Sequence, residues 1–143
     1  MLEDPRKALD LRVSIALSCL RKTTIRAFAG RGPSRRREPQ AITQIADQVA
    51  AALMVSLMFC RDGTPVIRSR IAHHIATVMQ GIPDGIAREW AGLDATARDK
   101  ARQHIADQIV WRLWERYTVT LQARAVVVPT AKVWCGVAQT DPE

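Results

Sequence analysis

Val49–Cys60 reads VAAALMVSLMFC, the longest apolar run in a chain of 143 residues. A bilayer-spanning helix needs about 20 apolar residues, so this run is too short to span and has the length of a buried core helix. Ile42 and Ile45 upstream of it, and Val49, Leu53 and Leu57 within it, recur at helical spacing. Ala50, Met54 and Met58 cover much of the opposite side. The pattern predicts a helix over about 41–60, apolar nearly all round from Val49 onward, which belongs at the centre of a bundle. RDGTP, Arg61–Pro65, is then the turn that ends it.

The flanking sequence supplies further helices. Asp4-Pro5 is a start signal, an N-cap followed by proline at the first helical position. Leu9, Val13, Ala16, Leu17 and Leu20 follow at helical spacing, with Ile25 and Phe28 beyond, and Gly30 is the stop. Residues 1–30 are therefore read as an N-terminal helix. Residues 31–40, RGPSRRREPQ, are read as a solvated, mobile linker. A helix over 65–80 carries Ile67, Ile71, Ile75 and Val78 inward, and a short one over 86–93 follows GIPDG. Asp94 caps a long helix over 95–117, striped by Ala101, Ile105, Ile109, Leu113 and Tyr117 and widened by Ala106, Val110 and Trp114. In the tail, 118–143, Tyr117–Val127 alternates as a strand would, although Leu113, Tyr117, Leu121 and Ala125 also continue the helical stripe. Thr and Val favour the strand, and Lys132–Val137 would be its hairpin partner. The expected fold is mainly α: a single-domain bundle of about four helices with a C-terminal β-hairpin, its helical core running from 41 onward.

Length and composition fit one globular domain that builds its core without disulfides or metals. Cys19, Cys60 and Cys135 are odd in number and widely separated, which favours a reducing, cytoplasmic setting. No secretory signal is visible, because Glu3, Asp4, Arg6 and Lys7 precede any apolar run, and no membrane contact is expected. The net charge of +7 is uneven. Residues 1–40 hold 10 basic and 4 acidic side chains, 41–92 hold 4 and 4, and 93–143 hold 7 and 6. Arg21, Lys22, Arg26, Arg31, Arg35, Arg36 and Arg37 lie in 17 residues with no acid among them. The basic character belongs to one arm on a nearly neutral domain.

The tetrapeptide Ile-Ala-Asp-Gln occurs twice, at 45–48 and 105–108. The apolar positions of the two segments agree at an offset of 60, as any two amphipathic helices can, and the flanks diverge, so convergence is the preferred reading over duplication. Around the second copy, His104, Gln108, Trp111 and Glu115 share one helical face, away from the centre of the apolar stripe. Trp111 thus sits among polar neighbours. It either covers a groove within the fold or anchors a partner, a role tryptophan often takes.

No phosphate-binding loop, dinucleotide fingerprint or nucleophile–base motif is present. Of the three histidines, His73 and His74 are adjacent and point about 100° apart on a helix, so they are not an i, i+4 metal pair. His74 borders the apolar stripe and is expected to be a satisfied core-edge histidine. No catalytic residue, metal or cofactor is expected. Two functions remain. One is a small non-catalytic protein that contacts nucleic acid or a nucleoprotein complex through the Arg-rich arm, by neutralising phosphates. The other is a helical interaction module, an adaptor or inhibitor that could self-associate as a homodimer, using the Trp111 face.

Overall fold

The computed structural model describes residues 4–122, and in it the apolar run Val49–Cys60 is not one helix. The third helix of the chain, α3 (Pro39–Leu53), stops after Leu53, and Leu57–Arg61 forms a strand, β1. Along β1, Leu57 and Phe59 are buried while Met58 is exposed, the alternation of a half-buried strand. Val55, Phe59 and Cys60 are poor helix formers that fit a pleated surface, so the chain leaves the helix where those residues begin. Arg61-Asp62-Gly63-Thr64 is a two-residue hairpin turn into β2 (Thr64–Pro65), with Cys60 opposite Pro65 and Arg61 opposite Thr64. Asp62 and Gly63 both have positive φ, 53° and 79°, as the twist-compatible hairpin turn requires.

There are six helices among the described residues, where the sequence suggested about four. The expected N-terminal helix is two: α1 (Pro5–Ser18) and α2 (Lys22–Ala29), broken at Cys19–Arg21. After the hairpin come α4 (Arg68–Gln80), α5 (Asp84–Trp90) and α6 (Ala95–Arg116), and the last described element is β3 (Thr118–Leu121). Ile67, expected inward, is 70% exposed and precedes α4, and Val78 is only partly buried. β3 is a strand, but it pairs antiparallel with β1, Leu57 opposite Leu121 and Phe59 opposite Val119. The sheet order is β2-β1-β3. The hairpin partner expected at Lys132–Val137 lies outside the described residues, as does Cys135.

α3 packs against α1, α2 and α4, while α6 packs against α1, α4 and α5. The core joins Leu9, Val13 and Leu17 of α1, Ile45, Val49 and Leu53 of α3, Ile71, Ile75 and Met79 of α4, and Ile105, Ile109 and Leu113 of α6. Tyr117 closes it over the sheet, its ring edge-on to Phe59 (6.2 Å) and to His74 (5.7 Å). Among the described residues no helix is long and apolar enough to cross a membrane.

Candidate cation-rimmed interface

The Arg-rich arm is a built turn rather than a free linker. α2 ends at Gly30, in the left-handed conformation (φ 79°), with Arg31 N–H donating to the Arg26 carbonyl at 2.8 Å and Gly30 N–H to Ala27 at 3.3 Å. A Cβ at Gly30 would come within 3.3 Å of the Arg37 nitrogen, because the chain folds back over the helix end. Within the turn the Ser34 hydroxyl donates to the Glu38 carboxylate at 3.0 Å, and Arg35 N–H donates to the Gly32 carbonyl.

Arg37 is turned inward. Its guanidinium donates to the carbonyls of Phe28 (3.2 Å), Met79 (3.0 Å) and Ile82 (2.6 Å) and pairs with Asp84 at 3.0 Å. It also lies over the Phe28 ring at 4.6 Å, and Phe28 meets Trp90 edge-on. Met79 belongs to the last turn of α4, and its carbonyl also accepts from Ile82 N–H at 3.2 Å, so the cation meets an acceptor at the negative end of the helix dipole. Arg37 therefore ties α2, α4 and α5 together and is not available to a phosphate.

The other six cations, Arg21, Lys22, Arg26, Arg31, Arg35 and Arg36, are exposed. None forms an ion pair within the described residues, where the only two pairs are Arg37–Asp84 and Arg102–Asp99. Arg26 also donates to the Arg31 carbonyl at 2.9 Å. Lys22 and Arg26 line a cavity of about 90 Å³ together with Ile25, Trp90, Ala91, Gly92, Leu93 and Arg98. On the other side of α2, Arg21, Thr23 and Thr24 share a shallow polar cleft with Gln44 and Gln48 of α3. Leu93 and Arg98 carried no marker in the sequence. Arg98 reads as one more solvated helix residue, and only the packing of α2 beside α5, and of α5 beside α6, brings it to Lys22 and Arg26.

The four residues proposed for the second face are divided between two clefts. His104 and Gln108 line one between α4 and α6, with His74, Thr77 and Arg112. Gln108 and Trp111 line another against α1, with Arg6, Lys7 and Asp10. Glu115 is exposed and lines neither. Trp111 is 51% exposed, with the Arg112 guanidinium 5.8 Å from its ring. Trp114, assigned inward from the sequence, is 36% exposed and lies under Arg6.

His74 departs from its expected role. Its Nε2 is buried without a hydrogen-bond partner among the described residues. Burial pulls its pKa below the ordinary 6.5, the nearby Arg112 backbone opposes this, and the charges of Arg116, Arg112 and His73 add to the lowering. Among the described residues no group of three or more His, Cys, Asp or Glu side chains is placed to hold a metal ion. Among the described residues Cys19 and Cys60 form no disulfide. No protein-family model matches the chain, and neither a curated protein nor a solved structure matches it.

Proposed function

We propose that this is a non-catalytic binding protein that contacts nucleic acid through α2 and the turn that follows it. The observation that carries the reading is the placement of six exposed cations, free of ion pairs among the described residues, on one helix and its adjoining turn. Charges that are not neutralised internally are those that release counterions from a phosphate backbone. Arg98 lines the same cavity as Lys22 and Arg26 and adds a cation from outside the sequence segment.

The test is a titration of labelled nucleic acid at several salt concentrations. Affinity falls steeply with salt, and Arg35→Gln with Arg36→Gln lowers the slope of log K against log salt by about 2. Absence of binding at low salt, or an unchanged slope in the double variant, rejects the reading. Arg37→Gln is the control: it leaves carbonyls and Asp84 unpartnered and lowers unfolding stability by about 2 kcal/mol or more, whereas the Arg35 and Arg36 changes leave stability nearly unaltered.

A second reading, a protein-interaction module, is favoured by the exposure of Trp111 and Trp114 on α6, since half-exposed tryptophans serve as anchors at interfaces. In its self-associating form, light scattering detects a dimer of the wild-type chain that Trp111→Ala converts to monomer.

A further inference from the structure

The cavity between α2 and the α5–α6 turn combines two properties that rarely coincide in a merely solvated surface. Lys22 and Arg26 of α2 and Arg98 of α6 line it, with no carboxylate in the lining among the described residues. The apolar side chains of Ile25, Leu93 and the buried Trp90 also line it. Leu93 is 95% exposed, so the fold derives no burial from it. The neighbouring Asp94 faces its own helix, accepting from Thr96 N–H at 3.1 Å.

The volume limits the occupant. At roughly 10–15 Å³ of such space per water, a cavity of about 90 Å³ holds a group the size of a single ring. The three cations favour anionic groups beside that ring. Lys22 and Arg26 stand one helical turn apart, about 6 Å along the axis, and Arg98 approaches from α6. A flat, weakly polar ring with a phosphate on each side is a nucleotide unit of a strand. A duplex keeps its bases stacked and cannot offer one, whereas a single strand can, and unstacked bases pack on apolar side chains and guanidinium planes.

We propose that this cavity seats one unstacked, single-ring base of a single-stranded nucleic acid, with the flanking phosphates on Lys22, Arg26 and Arg98. The proposal rests on the nucleic-acid reading above and adds to it a strand preference.

Fluorescence anisotropy at low salt with three labelled probes tests it: an oligouridylate, a strand of equal length with abasic residues, and a duplex. The expected result is that the oligouridylate binds about tenfold tighter than the abasic strand, the scale of one seated base. Leu93→Asp, at a solvent-exposed position, collapses that ratio, and taking a ratio cancels the effect of the added charge on phosphate attraction. Arg98→Gln weakens the oligouridylate more than the duplex. Equal binding of oligouridylate and abasic strand, or a ratio unchanged in Leu93→Asp, overturns the base seat and leaves the phosphate reading standing. If no probe binds at low salt, both are overturned.

Discussion

The two Ile-Ala-Asp-Gln segments begin alike and end differently. In each, the isoleucine and alanine are buried and the aspartate is exposed, and each helix runs into a strand. The two strands, β1 and β3, pair with each other. Yet α3 buries seven of its 15 residues and stops five residues after the tetrapeptide, while α6 buries six of 22 and continues to Arg116. The residues downstream explain the difference. Arg112, Leu113, Glu115 and Arg116 are good helix formers, whereas Val55, Phe59 and Cys60 favour a strand. Where α3 has Ala51, α6 has Trp111, and only the less enveloped helix presents such a side chain half to solvent. An identical tetrapeptide thus sets local polarity but neither helix length nor surroundings.

The largest way to break this symmetry is at the strand pair. Phe59→Ala empties a fully buried site on β1 and removes the edge-on contact to Tyr117 at the end of α6. It should cost about 3–5 kcal/mol in urea unfolding. A double-mutant cycle with Tyr117→Leu isolates the contact, expected at about 0.5–1.5 kcal/mol. A coupling near zero would mean that the two helix–strand units are held together elsewhere.

A smaller effect comes from His74 on α4, which touches Tyr117. Its folded pKa lies below the ordinary 6.5, so the unfolded chain takes up the proton first. The contribution to stability is present above pH 6.5 and is lost as pH falls from there through the folded value. Urea midpoints measured from pH 7.5 to 5.5 should decline in the wild type and decline less in His74→Phe. Parallel curves would remove His74 from the account.

The smallest stability effect is expected at Trp111. Half-exposed, with one cation near its ring, it should lose about 1 kcal/mol or less on replacement by alanine. A loss of several kcal/mol would show that it supports the fold as the α3 core residues do.

Much of the helical framework is legible in the chain because periodicity is a local property. The stripe Ala101, Ile105, Ile109, Leu113 and Tyr117 is buried throughout, and the Asp4 and Asp94 side chains accept from the first helical turns as N-caps do. The switch at Leu53 was hidden because Leu57 satisfies both templates, continuing the helical row from Ile45 and opening the strand row with Phe59. Asp62-Gly63 is the available signal: an Asp-Gly pair just after an apolar run suits a two-residue hairpin, and a hairpin there makes the end of that run a strand.

The candidate site divides along the same line. Charge is additive and can be counted, so the basic segment was visible, including six side chains that do face solvent. Which arginine turns inward was not, because Arg37 is chosen by the carbonyls of Met79 and Ile82 more than 40 residues away. The cavity depends on the same long-range packing, which sets Lys22 and Arg26 beside Leu93 and Arg98. The helix-rich composition, the Asp4 and Asp94 caps, the location of the positive charge and the polar character of the helix faces all follow from neighbours within a few residues and can be read along the chain. The β1–β3 pairing, the inward arginine and the cavity beside Lys22, Arg26 and Arg98 arise in the packed molecule, because each exists only where chain segments distant in sequence lie side by side.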